Sequence, residues 1–242
     1  MLIKLDNPKV LSEVISIISE LVLEVRIRVT SDGLSITAID PASVAMIIFK
    51  IPRTAFSQWD VEGDELLGVS LESMKAVLRR VKSGSVLTMS REENELRITI
   101  QDKVRKEFNL ALIDVEGEEK PIPSLEFTSI VEMNSIDFSE AIEDSSVVAD
   151  AVSFITEAHK FIIHAKGSLN SFRSEFGDEV NITAEESRSK YSLEYLQKMI
   201  KATKLSDKTI IRFSGDYPLR LDFKTITMEL SFILAPRVES EN

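Results

Sequence analysis

The chain has 242 residues, a net charge of −11 and no cysteine. That length holds one large domain or two of about 120 residues each. The missing thiols exclude disulfides, thiolate metal sites and cysteine nucleophiles and fit a reducing compartment, while the acid excess works against a nucleic-acid partner unless the cations are segregated.

In chain order, Asn7 to Val22 reads as an amphipathic helix with Val10, Val14, Ile17, Ile18 and Leu21 on one stripe. Three strands follow, EVRIRVTS, GLSITAID and VAMIIFKIP, the first two joined by the turn signal Ser31-Asp32-Gly33. Ser70 to Ser90 opens with Ser-Leu-Glu, continues at helical spacing, breaks at a polar turn and resumes as an alternating strand. Asp114 to Phe127 (DVEGEEKPIPSLEF) combines acids with two prolines, which disfavours both helix and strand and reads as an exposed connector. Ser135 to Ala151 reads as a second amphipathic helix on Phe138, Ala141, Ile142 and Val148, followed by the strands AVSFITEA, KFIIHAKG and SFRSEF. Ser192 to Ser214 then repeats the Ser-Leu-Glu, helix, turn and strand pattern roughly 120 residues after its first copy, half the chain. The reading is α+β: two similar domains, each with two helices packed on antiparallel sheet. The boundaries expected are 1–113, a connector 114–127, and 128–242.

Two helices run against the overall charge. Lys75, Arg79 and Lys82 follow i, i+4, i+7 spacing with Arg80 beside them, opposite Met74, Val77, Leu78 and Val81. Lys198, Lys201 and Lys204 share a face opposite Leu193, Leu196 and Ile200. A basic helix face is most often merely solvated. Its recurrence at equivalent places in both halves of an acidic chain points to sequence-independent phosphate contact.

Catalytic signatures are sparse. The phosphate-loop, dinucleotide, zinc-protease and nucleophile-elbow motifs do not occur in the sequence. His159 and His164, five apart on one expected strand, point to opposite faces and read as ordinary strand or turn residues. Asp40 before a proline reads as turn chemistry, with a magnesium-dependent nuclease as the remote alternative. Glu116, Glu118, Glu119, Asp178 and Glu179 read as solvated loop charges, and Trp59 as packing at a strand start. No cofactor or metal site is expected. The absence of a run of about 18 apolar residues and of a signal-peptide pattern in MLIKLDNPK leads to the expectation of a cytoplasmic protein without a membrane partner.

TAIDPASVAM, KEFNLALIDVE, the proline-flanked connector, SLEYLQKMIKATKLSD, GDYPL and the terminal FILAPRVESEN, in this order and spacing, resemble the DNA sliding clamps of the proliferating cell nuclear antigen family in their archaeal form. The resemblance covers essentially the whole chain. It implies a non-enzymatic subunit of a closed trimeric ring around double-stranded DNA, nucleoid-associated in an archaeal cell. Clients expected on it through short peptides are DNA polymerase, flap endonuclease, DNA ligase and the clamp loader, replication factor C. A homotrimer is implied, with a heterotrimer of paralogues as the alternative.

The family's DNA-facing positions carry over to Lys75, Arg79, Arg80, Lys82 and Lys201, with Lys198 and Lys204 as neighbours. This chain departs from the pattern at the first helix of each half, which reads Ser12, Glu13, Ser16, Ser19 and then Glu140, Glu143, Asp144; Lys9 is the cation left near the first. The partner-peptide groove carries over to Ile39, Ser43, Val44, Met46, Ile122, Pro123, Phe127, Pro218, Ile233, Ala235 and Pro236. The subunit interface carries over to edge strands within Arg105 to Ile113 and Ser168 to Phe176, with Lys106, Phe108, Leu110, Leu169, Phe172, Arg173 and Glu175 as contacts.

Overall fold

A computed structural model describes residues 1–115, 120–157 and 159–237. The chain divides into two compact units. The first comprises Met1–Pro41, Ile47–Ile122 and Ile226–Leu230; the second comprises Ala42–Met46, Pro123–Thr225 and Ser231–Asn242.

The first unit runs β1 (Leu2–Leu5), α1 (Lys9–Ile18), β2 (Glu24–Thr30), β3 (Gly33–Ile39), β4 (Ala45–Pro52), β5 (Gln58–Asp60), β6 (Glu65–Ser70), α2 (Leu71–Leu78), β7 (Val86–Glu92), β8 (Glu95–Gln101) and β9 (Arg105–Ala111). Its strands form the orders β5-β1-β7-β8-β9 and β4-β3-β2-β6. Helix α1 buries Leu11, Val14, Ile15, Ile17 and Ile18. The expected stripe missed Leu11 and Ile15, because a helix closed in by neighbours buries more than one narrow seam. Helix α2 starts at Ser70, whose Oγ accepts from the Ser73 amide at 3.4 Å. The two helices meet where Ser12 Oγ donates to the Leu78 carbonyl at 3.0 Å.

The second unit runs β10 (Ser129–Asn134), α3 (Ser135–Val148), β11 (Ala151–Glu157), β12 (Lys160–Lys166), β13 (Ser171–Phe176), β14 (Asn181–Ala184), β15 (Ser187–Ser192), α4 (Leu193–Met199), β16 (Lys208–Phe213), β17 (Leu219–Lys224) and β18 (Glu229–Leu234). Its orders are β14-β10-β16-β17-β18 and β13-β12-β11-β15. Element for element, this is the topology of the first unit, so the half-chain repeat in the sequence is a repeat of fold. Asn134 caps α3, its Oδ1 accepting from the Ile136 amide at 2.8 Å. Helix α3 buries Phe138, Ala141 and Ile142 as expected, but Ser145 takes the place foreseen for Val148. The serine hydroxyl satisfies itself by donating to the Ala141 carbonyl at 2.7 Å. Beneath the helices lies an aromatic cluster in which Phe154 contacts Phe138, Phe161, Tyr191 and Phe213 at centroid distances of 5.3–6.1 Å.

One local reading changes. His159 is not on a strand: it occupies the β11–β12 turn with φ +65°, a conformation His tolerates better than β-branched residues. His164 does lie on β12, where burial, and then Arg173, Arg188 and Lys166, push its imidazole below the usual histidine range. Trp59 packs edge-on against Phe56 at 4.6 Å within the strand edge β5. The acids Glu116, Glu118 and Glu119 lie outside the described residues; the described parts of the connector contain neither helix nor strand.

Candidate functional site

The cations of the first unit gather on and just after α2. Lys75 is half-buried and donates through Nζ to Ser19 Oγ at 2.9 Å, tying α2 to the end of α1. Arg79 and Arg80 are exposed immediately past the helix. Lys82, expected on the same helical face, lies beyond it. The helix stops because the chain tightens: the amides of Arg80 and Val81 bond back to Val77 and Leu78, each at 3.0 Å. Gly84 then takes φ +78°, which glycine adopts without the side-chain penalty. Lys9, at the start of α1, is exposed and 3.9 Å from Glu13, a pairing of little energetic weight at the surface.

In the second unit, α4 continues into a 3₁₀ segment, Ile200–Leu205. Three residues per turn align Lys198, Lys201 and Lys204 more closely than an α-helix would. Lys201 and Lys204 are exposed. Lys198 pairs with Glu194 at 3.0 Å and lies 5.4 Å from the centre of the Tyr195 ring. Helix α3 presents the opposite character. Glu140, Glu143 and Asp144 are exposed, flanked on the same helical face by Ile136 and Val147, 64% and 81% exposed.

The groove residues divide by unit. Ile39 and Ile122 fall in the first unit, Ile39 half-buried and Ile122 exposed. In the second unit, the Ala235 amide donates to the Val44 carbonyl at 2.9 Å, bringing the AIDPASVAM turn beside the ILAP segment. Ser43 is exposed at φ +58°. Val44, Pro218, Ala235, Pro236 and Phe127 are half-buried, and Pro123 is exposed. Met46 and Ile233 are buried, so they back the surface rather than form it.

Sequence reasoning passed over the residues that hold this surface in shape. Tyr191, fully buried, donates through its hydroxyl to the Tyr217 carbonyl at 2.8 Å and fixes the loop that carries Pro218. Tyr217 in turn stands edge-on to Phe127, centroids 6.0 Å apart. Arg237 donates its amide to the Lys190 carbonyl at 2.7 Å, and its guanidinium pairs with Asp150 at 2.9 Å. The Arg237 hydrogen bond and charge hold the Asp150 carboxyl below the usual aspartate range. An arginine after Ala-Pro and a tyrosine in the alternating SRSKYS strand were the only signals available.

Six strands end a sheet among the described residues, three in each unit, and two of them, β9 and β13, carry the interface residues expected from the sequence. Strand β9 pairs only with β8, and β13 only with β12. Along β9, Lys106, Phe108 and Leu110 are half-buried while Arg105, Glu107 and Asn109 are exposed; along β13, Phe172 is half-buried and Arg173 and Glu175 are exposed. Glu107 lies 3.4 Å from both Arg97 and Arg105, and Lys106 lies 3.4 Å from Asp102. Arg173 pairs with Glu175 at 2.8 Å, which lowers the Glu175 carboxyl from its ordinary value. Leu169 is 93% exposed in the turn before β13, not on the strand.

Comparison with known proteins finds relatives along the whole chain. Residues 1–119 match the family model for the N-terminal domain of proliferating cell nuclear antigen, and residues 121–238 match that for its C-terminal domain. The chain is 34% identical to a DNA polymerase sliding clamp of Nanoarchaeum equitans, over 98% of this chain and 99% of the relative. It is 35% identical to one of Thermococcus fumicolans, over 97% of each. A crystal structure of a PCNA2–PCNA3 complex from Sulfolobus tokodaii superposes with a TM-score of 0.90 at 28% identity, covering 99% of this chain and 100% of that one. A proliferating cell nuclear antigen from Entamoeba histolytica shares the fold at a TM-score of 0.92 and 19% identity, with 98% of each chain covered. With both family domains matched in succession along residues 1–119 and 121–238, and a relative covered over 99% of its length, the chain belongs to the proliferating cell nuclear antigen family of DNA sliding clamps.

Proposed function

We propose that this chain is a subunit of a DNA polymerase sliding clamp: three subunits close into a ring around double-stranded DNA and tether polymerase to it. The observation that carries this is the segregation of charge. A chain of net charge −11 places Lys75, Arg79 and Arg80 at one helix and Lys198, Lys201 and Lys204 at its counterpart in the repeated fold. Flexible cations on helices, without interleaved base-reading groups, hold phosphates at any sequence and permit sliding, while the acidic remainder repels the duplex. The subunit performs no chemistry of its own and needs no cofactor. Polymerase, flap endonuclease, ligase and the clamp loader dock short peptides against Ser43, Val44, Ile122, Pro123, Phe127, Pro218, Ala235 and Pro236. The protein acts in the cytoplasm, on the nucleoid. Changing Lys75, Arg79 and Lys201 together to Glu is expected to shorten the product length per polymerase binding event while leaving the oligomeric state unchanged. Unchanged product length in a primer-extension assay would remove the helices from the DNA-contacting role.

The open edges of β9 and β13 support self-assembly. Laid antiparallel with Phe108 opposite Phe172, β9 of one copy and β13 of the next put Arg105 opposite Glu175 and Glu107 opposite Arg173. Opposite charges and an aromatic pair thus fall in register at once, and the contact is head-to-tail, so it propagates until the ring closes.

A second reading, a clamp-fold adaptor that works only inside a heterotrimer, is favoured by α3. Its exposed acids, Glu140, Glu143 and Asp144, weaken any phosphate contact by that helix. Light scattering separates the two readings. A trimer of this chain alone supports the first; a monomer that trimerises only with a paralogue supports the second.

A further inference from the structure

Of the six strands that end a sheet, β9 and β13 carry the assembly contacts proposed for the ring. Strand β6 meets the chain leading into the connector, where the Ile113 amide bonds to the Gly68 carbonyl at 3.0 Å. Strand β15 meets two segments: the Asp216 amide bonds to the Arg188 carbonyl at 3.2 Å and the Arg237 amide to the Lys190 carbonyl at 2.7 Å. Two edges stay open among the described residues, the short β5 and β14.

Which groups of β14 face outward follows from its pairing with β10. The Glu185 amide bonds to the Thr128 carbonyl at 3.1 Å, one step beyond the register pair Ala184 and Ser129. Bonded and non-bonded pairs alternate along an antiparallel ladder. Thr183 with Ile130 and Asn181 with Glu132 are therefore the bonded pairs, and Ile182 and Ala184 turn their N–H and C=O groups to the open side. The side chains of the same two residues line a cavity of about 170 Å³, with Thr156 and His159 from the β11–β12 hairpin and Glu185 and Glu186 after β14. That volume suits one long side chain rather than a free ligand. Main-chain bonds at an open edge, with a pocket for an alternate side chain, are the requirements of β-strand addition.

Charge selects the occupant. Glu157 and Lys160 also line the cavity but are engaged, Glu157 by Arg173 at 3.5 Å and Lys160 by Glu175 at 3.1 Å. Thr156 already donates to the Glu185 carbonyl at 2.7 Å. Asp178 and Glu179 before β14, and Glu185 and Glu186 after it, are exposed, and no ion pair engages any of the four among the described residues. Such an edge repels a second copy of a chain of net charge −11 and attracts a basic strand. Ile182 and Ala184 fit the aliphatic stem of a lysine or arginine, and Glu185 and Glu186 its charge.

We propose that β14 is a docking strand for an extended, basic segment of a partner protein, which adds to the sheet edge and seats a lysine or arginine side chain in the cavity. The site lies wholly in the second unit and stands apart from the clamp reading.

The test is fluorescence anisotropy on the full chain with a labelled peptide centred on Val-Lys-Val-Lys-Val, its Val-Glu-Val-Glu-Val counterpart, and a copy of the basic peptide N-methylated along its centre. The basic peptide is expected to bind about tenfold or more tighter than either of the others. Ala184→Pro removes an outward N–H without breaking a bond to β10, a place where an edge strand accepts proline. Checked for folding by circular dichroism, it is expected to weaken binding about tenfold, as is Glu185→Lys combined with Glu186→Lys. Exchange of the Ile182 and Ala184 amides is expected to slow on binding, with Thr183 changing less. Equal affinity for the basic and acidic peptides would overturn the proposal. So would binding that survives N-methylation or Ala184→Pro, which would mean adhesion to surface charge. A rise in mass with concentration that Ala184→Pro abolishes would assign the edge to a second copy instead. Retention on circular DNA is expected to be unchanged in Ala184→Pro, which separates failure at this edge from failure of the clamp reading.

Discussion

At the scale of single residues, the last described residue of the chain is held by one backbone hydrogen bond and one exposed ion pair. Arg237 reaches Asp150 at 2.9 Å and lowers its carboxyl pKa from the ordinary 3.8. A depressed carboxylate contributes its stabilisation above the unfolded value and loses it as pH falls through the folded value. The Arg237–Asp150 pairing is therefore expected to persist from neutral pH down to the ordinary aspartate range and to be lost as pH falls through the lowered Asp150 value, loosening the Arg237 amide slightly. Hydrogen exchange at the Arg237 amide, bonded to the Lys190 carbonyl, reports it. Asp150→Asn is expected to remove the pH step, and a step that survives in that variant would assign it to another group. Little at this scale was legible in the sequence. Arg212, Arg220 and Asp222 went unmarked, since an alternating strand ordinarily turns its charges to water. Nothing in single-strand periodicity says that two neighbouring strands place like charges opposite each other around a buried acid. The Tyr191 hydroxyl was equally invisible, because its partner is a carbonyl 26 residues away.

At the scale of elements, periodicity and turn chemistry located the four α-helices and eight of the eighteen strands among the described residues, and erred at their ends. Lys82 was placed on α2 by spacing alone, although Ser83-Gly84 after it is a stop signal. Burial of Leu11 and Ile15 on α1 could not be read from the stripe, since it depends on what packs against a second face. The connector hid a further dependence. The chain leading into it is pinned to the first unit: the Leu112 amide bonds to Asn94 at 2.8 Å, the Ile113 amide bonds to Gly68 at 3.0 Å, and Arg26 donates to the carbonyl of Val115 in the connector itself. Gly68 permits this approach. A Cβ there would come 2.0 Å from the Ile113 carbonyl oxygen, whereas one at Gly63 would meet nothing within 4 Å. Gly68→Ala is accordingly expected to cost about 1–3 kcal/mol and to raise exchange at the Ile113 amide, with Gly63→Ala near neutral. Thermal unfolding of the two variants checks the contrast, and equal midpoints would show that the connector is not held at Gly68.

For the whole molecule, the half-chain repeat was legible because both copies must solve the same problem, two helices covering antiparallel sheet, and so keep the same apolar spacing. Assembly was legible only through the family resemblance, since an edge strand looks like any other until the sheet order is known. The register proposed for β9 and β13 makes assembly testable by charge. Arg173→Glu alone is expected to turn an attractive pair into a repulsive one against Glu107 and to lower the assembled mass. Adding Glu107→Arg is expected to restore it. Sedimentation in which the double variant stays as dissociated as the single one would exclude this register.

The central claim, a ring that holds DNA by enclosing it, is tested most directly by retention on circular and linear DNA. The protein is loaded onto nicked circular duplex with its clamp loader and ATP, passed through a sizing column at high salt, and passed again after the circle is cut. Retention on the circle and loss after cutting is the result expected, because a topological link survives salt screening and ends with the circle. Equal retention before and after cutting would mean that the protein grips DNA rather than encircling it, and would contradict the account.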